Sequence, residues 1–254
     1  MMKSRNMKNR LVILMLAAAS TVFAQQLPNP GFEDWSGATY NGEIQPASWN
    51  ASNVTQFGLE FNFAHQETGH TGNYSLRVQD TSIGALGITE TSPGYFALGQ
   101  PWVFIKDITS VNQATAGTSG GISWTSRPDT MAVWIKRTGN NYAREDFHLL
   151  FYSWKGTAVG NQYKGKNGNC TSVRQTDEES DIRQATNGNE CGSATKATQI
   201  AEGWWRERNE YAQWTLIKVP VFYMNDEIPE KCNVIFSASN YPNFRANDGL
   251  YDGN

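Results

Sequence analysis

The sequence predicts an all-β sandwich, and three observations carry that prediction. Apolar residues alternate with polar ones over short runs instead of recurring at helical spacing. Gly and Asn turns separate the runs. Thr, Tyr, Phe and Trp are plentiful, whereas charged residues make up only 18% of the chain. No repeat of 20–50 residues points to a solenoid or propeller.

The chain opens with a stretch that does not belong to the fold. Lys3, Arg5, Lys8 and Arg10 precede a short apolar run from Leu11 to Ala19, and Val22-Phe23-Ala24 places small residues at −3 and −1. Residues 1–24 therefore read as a signal peptide cleaved before Gln25. The apolar run is well short of the roughly 20 residues that a membrane span requires. No Cys follows it, so no lipid anchor is expected there. Without its four basic residues the chain keeps 17 of its 21 Lys and Arg against 24 Asp and Glu. A mildly acidic protein lacks the basic footprint of a nucleic-acid binder. The expected location is secreted, periplasmic or cell-surface. The remaining 25–254, about 230 residues, suit a single β domain.

The predicted strands follow in order. Phe57–Gln66 and Tyr74–Gln79 alternate aromatic or aliphatic residues with polar ones. Leu86–Thr91 and Tyr95–Leu98 are short. Thr130–Arg137 sets Met131, Val133 and Ile135 on one face and Ala132 and Trp134 on the other. Phe147–Trp154, Trp214–Tyr223 and Asn233–Ser239 are longer apolar runs, and Pro220 demotes the second to an edge or bulged position. Residues 155–210 read as a long polar insertion, with a short helix expected near Thr195–Arg208. Cys170 and Cys191 flank its polar part, and export permits a disulfide between them. That bridge would close a loop of about 20 residues and stabilise by roughly 3 kcal/mol. Cys232, within a strand pattern, reads as a buried thiol. The polar end, Asn247–Asn254, has no strand after it, and the domain reads as lacking its last strand.

Several of these segments resemble a known family. Asn29-Pro30-Gly31-Phe32-Glu33-Asp34-Trp35 followed by Trp49 is similar to the opening of bacterial jelly-roll carbohydrate-binding modules, most of all the Bacteroidetes PCMD family. His70-Thr71-Gly72-Asn73-Tyr74-Ser75-Leu76-Arg77-Val78 resembles the next strand of those modules. Gly120–Asp129 resembles their Gly-rich approach to an Arg-Pro turn, and Ser237-Ala238-Ser239-Asn240 their penultimate strand. The resemblance implies a galactose-binding-like jelly roll that binds polysaccharide. It also implies a structural Ca²⁺ near the first strand, with Glu33 giving a carboxylate and Thr71, Gly72 and Asn73 giving carbonyls toward the 6–8 oxygens the ion takes.

Sugar sites stack an exposed aromatic ring on the apolar C–H face of a pyranose. Nine tryptophans are available. Trp35, Trp49, Trp134 and Trp214 read as core. Trp102, Trp124, Trp154, Trp204 and Trp205, in or next to predicted loops, read as the sugar-binding set. Glycoside hydrolysis needs two carboxylates about 5–9.5 Å apart, and no spacing pairs Glu60, Glu67, Glu90, Asp107, Glu145 or Asp146. The histidines, His65, His70 and His148, show no metal or triad spacing. The expectation is an exported, non-catalytic polysaccharide-binding module. A glycan-active hydrolase or lyase on the same scaffold and a structural, adhesin-like surface protein are the alternatives.

Overall fold

The computed structural model describes residues 25–36, 45–56, 59–85, 88–92, 94–104, 115–138, 147–156, 162–164, 170–172, 197–207 and 209–238. Among these every regular element is a strand, and every strand pairing is antiparallel. The principal strands are β1 (Asn50–Ala51), β2 (Ala64–Thr68), β3 (Tyr74–Val78), β4 (Tyr95–Ala97), β5 (Gln100–Phe104), β6 (Thr115–Ser119), β7 (Ile122–Ser123), β8 (Thr130–Arg137), β9 (Phe147–Lys155), β10 (Thr198–Glu207), β11 (Tyr211–Pro220), β12 (Phe222–Tyr223) and β13 (Lys231–Ser237); β5 and β6 pair with each other, and the rest build two layers.

The principal layer is a seven-stranded sheet in the order β12-β10-β9-β13-β4-β1. β7 lies beside the start of β13, on the edge that β4 uses further along. β9 and β13 sit at its centre because their sequences, FHLLFYSWK and KCNVIFS, are apolar almost without interruption. Such runs suit strands buried on both faces.

Each face of this sheet has its own core. Phe96, Leu149, Phe151, Ala201, Val234 and Phe236 point to the inner face. Tyr95, Ala97, Leu150, Tyr152, Trp154 and Ile235 point to the outer face. A polar knot sits within the outer cluster. Asn233 Nδ2 donates to Tyr152 Oη at 2.9 Å and to Thr118 Oγ1 at 3.2 Å, and Asn233 Oδ1 accepts from the Gly99 amide at 2.9 Å. All three side chains are buried, so these bonds prevent the desolvation cost that an unpaired amide would incur.

Two antiparallel strand pairs form the second layer over the inner face, one a hairpin and the other joining strands distant in sequence. β2 pairs with β3, and β8 with β11. Leu76 and Val78 of β3, Met131 and Val133 of β8, and Ile217 and Val219 of β11 all pack into the inner core, and Ile135 of β8 is buried in line with Met131 and Val133. The opening motif closes the end of this layer. Phe32 packs on Trp49 and Phe96, with ring centroids 5.4 and 5.6 Å away. Trp35 Nε1 donates to the Phe32 carbonyl and Trp49 Nε1 to the Pro28 carbonyl.

The expected 155–210 insertion is shorter than the sequence reading made it. Thr198–Glu207 is neither loop nor helix. It is β10, paired along its length with β9 inside the principal sheet. Its polar residues misled because one face of this strand is open to solvent. Cys170 lies in a short strand, Cys170–Ser172, paired with Gln162–Lys164. The proposed partner Cys191 lies outside the described residues, as does the 239–254 tail. Cys232 is a free thiol in the inner core, as expected.

Candidate functional site

An exposed aromatic group with polar company lies on the solvent side of the second layer. Along β8, Val133 and Ile135 face the core, so Trp134 between them must face water. It is 46% exposed. Leu216 is its partner across the ladder, and Trp214 lies two residues before it on β11. His70, from the turn joining β2 to β3, reaches over to this surface. Its ring centroid is 4.2 Å from that of Trp134 and 5.6 Å from that of Trp214. Both tryptophans were expected in the core. The alternation of Met131, Val133 and Ile135 was the signal that placed Trp134 outside.

A cleft of about 810 Å³ lies between the two strand pairs. β3 and β8 flank it, and no backbone pairing joins them among the described residues. Phe32, Phe96, Phe147 and Phe236 line it, with Leu76, Val78, Val133 and Ile135. Glu67, Arg77, Lys136 and Arg137 line it too, together with Trp134 and Trp214. Glu67 and Arg77 meet at 3.4 Å, both half-exposed, so the pair orients polar groups more than it stabilises. Arg137 Nη1 donates to the Asn209 carbonyl at 3.1 Å. Aromatic rings, a carboxylate, a guanidinium and an ammonium thus share one surface.

Of the five tryptophans expected to bind sugar, two are corrected. Trp124 and Trp154 are 4% and 0% exposed and cannot meet a ligand. Trp154 ends the buried run of β9 and stacks on Tyr152 with centroids 5.6 Å apart. Trp124 is tied by its amide to the Glu230 carbonyl and packs edge-on against Phe151. Proximity to a predicted loop was a poor guide, because the loops here leave from the centre of a sheet. Trp204 and Trp205 occupy successive positions of β10 and so point to opposite faces. Trp205 packs against Phe147 and Tyr211 of the inner side, while Trp204 is 46% exposed on the outer side. Trp102 falls in β5, and its side chain lies outside the described set.

The expected calcium ligands take another role. Glu33 Oε2 accepts from the Asn73 amide at 3.0 Å, and Oε1 from the Tyr74 amide at 3.1 Å. A Cβ on Gly72 would lie 1.9 Å from Oε1, so a glycine is needed for the carboxylate to fit. What faces Glu33 is a pair of N–H donors, which suits an anion and not a cation's ligand shell. No cluster of three or more His, Cys, Asp and Glu occurs among the described residues. Glu33 clamps the turn between β2 and β3 through these two amides.

No described helix is long and apolar enough to cross a membrane. Compared with protein-family models, with curated proteins and with solved structures, the chain gives no match.

Proposed function

We propose that the chain is an exported, non-catalytic module that binds polysaccharide through the outer surface of its second layer. The observation that carries this reading is Trp134. A large indole left 46% open on a strand, beside Trp214 and His70, forgoes burial that the fold could have used. Such a ring stacks on the C–H face of a pyranose, while Arg77, Glu67 and Lys136 hydrogen-bond its hydroxyls. The resemblance of the opening motif to jelly-roll carbohydrate-binding modules agrees with this reading, although the motif itself builds scaffold. The basic residues before Leu11 and the small residues before Gln25 support export.

The test is affinity electrophoresis of the 25–254 chain in gels containing soluble polysaccharides (β-glucan, xylan, galactomannan, pectin, alginate). The expected result is retardation by at least one of them, weakened at least tenfold by Trp134→Ala, about 1.4 kcal/mol. Near-UV circular dichroism checks that the variant is folded. Unchanged retardation in folded Trp134→Ala would remove this surface as the site.

A further inference from the structure

A second open aromatic surface lies on the opposite side of the sandwich. Cross-strand pairing sets Leu150 beside Trp204 and Glu202 beside Phe222, so Trp204, Glu202 and Phe222 share the outer face of the principal sheet. Phe222, on the edge strand β12, is 62% exposed. Trp204 and Phe222 are diagonal neighbours, within reach of one ligand. Glu202 is held beside them by Gln199, whose Nε2 donates to Glu202 Oε2 at 2.8 Å. Trp205, one residue on, packs into the inner core. The Trp204 surface therefore points away from the second layer, and Trp134, between two core-facing residues of that layer, points the other way.

We infer that Trp204, Phe222 and Glu202 form a second glycan platform, so that one chain engages two polysaccharide strands at once. The inference rests on the glycan-binding reading given above. The chemistry favours a sugar over another protein's apolar face. An apolar protein face pressed onto Trp204 and Phe222 would have to desolvate the Glu202 carboxylate beside them. A sugar stacks its C–H face on the rings and donates its hydroxyls to that same carboxylate. Two sites facing opposite ways cannot both grip the same short stretch of glycan. They join separate strands, and avidity on a surface then exceeds the affinity of either site.

The experiment uses the folded 25–254 chain with whichever polysaccharide of the panel retards it, and with a hexasaccharide cut from that polymer. Titration calorimetry with the hexasaccharide is expected to give two sites per chain. Mixing with the polymer is expected to give turbidity that peaks at an intermediate ratio and disperses in excess polymer. Trp204→Ala and Phe222→Ala should each lower the stoichiometry from two to one and abolish the turbidity, while leaving the affinity of the remaining site within about twofold. A single wild-type site that Trp134→Ala removes would overturn this inference and leave the glycan-binding reading standing. Two sites that persist in both Trp204→Ala and Phe222→Ala would also overturn it. Wild-type chain that is folded and binds none of the polymers would overturn both.

Discussion

Trp154 and Trp134 sit in strands of similar length, and their surroundings differ in every respect. Trp154 belongs to a central strand with a neighbour on each side and a core on each face. Trp134 belongs to a two-stranded sheet that has a core on one face only. The same side chain is a packing element in one place and an open ring in the other. Burial in this protein follows a strand's position in its layer, and hydrophobicity of the residue decides little.

The comparison breaks most sharply under truncation of the rings. Trp154→Ala should destabilise by about 3–5 kcal/mol, since no void in a central sheet collapses easily. Trp134→Ala should cost under about 1 kcal/mol, because half of the ring already meets water. Urea denaturation of both variants measures the difference, and equal midpoints would refute the contrast. Asn233→Ala comes next, at about 1–3 kcal/mol, because it strands the Gly99 amide without its acceptor and removes the donor to Thr118 and Tyr152. A loss below about 0.5 kcal/mol would mean that the polar knot adds nothing to the centre of the sheet.

Two smaller effects sharpen the same contrast. Burial pushes the Cys232 thiol well above its ordinary range. Its folded-state pKa thus exceeds the unfolded value of about 8.5, so its contribution to stability is complete below that pH and is lost as pH rises above it, by up to about 1.4 kcal/mol per pH unit. Urea midpoints from pH 7 to 10 should therefore fall more steeply for the wild type than for Cys232→Ala; parallel curves would show a thiol that reaches water. At the turn between β2 and β3, Glu33→Gln should cost about 1 kcal/mol, as one of the two amides loses its acceptor and the other keeps only a neutral one. Gly72→Ala should cost a similar amount by pushing the carboxylate away. If Gly72→Ala still hurts in a Glu33→Ala background, the clash is not the reason, and a thermal-melt double-mutant cycle decides it.

Much of the fold was legible because a strand's period of two is hard to disguise. Thr130–Arg137 was read with the bounds that β8 has, and Met131, Val133 and Ile135 do face the core. β10 was missed because a strand at the second-to-last position of a sheet has one wet face, and Gln199, Glu202 and Arg206 make its sequence look like a loop. The candidate site was harder to read. Strand alternation fixes which residues share a face, and it leaves open which face the second sheet covers. That ambiguity hid Trp134, whereas Trp154, on a strand with a core on each face, was misplaced by its position next to a predicted loop. His70 carried no signal at all, since its role depends on a turn meeting a strand some sixty residues further on, a contact that spacing does not encode.

The unpaired boundary between β3 and β8 has a mechanical consequence. No ladder of backbone hydrogen bonds crosses it among the described residues, so the two strand pairs are coupled there through side chains alone, His70 on Trp134 among them. Such a seam opens at lower free energy than any line within the principal sheet. A ligand spanning His70 and Trp134 would rivet the two halves together, and hydrogen exchange in β3 and β8 would slow on binding even though neither strand gains a backbone partner.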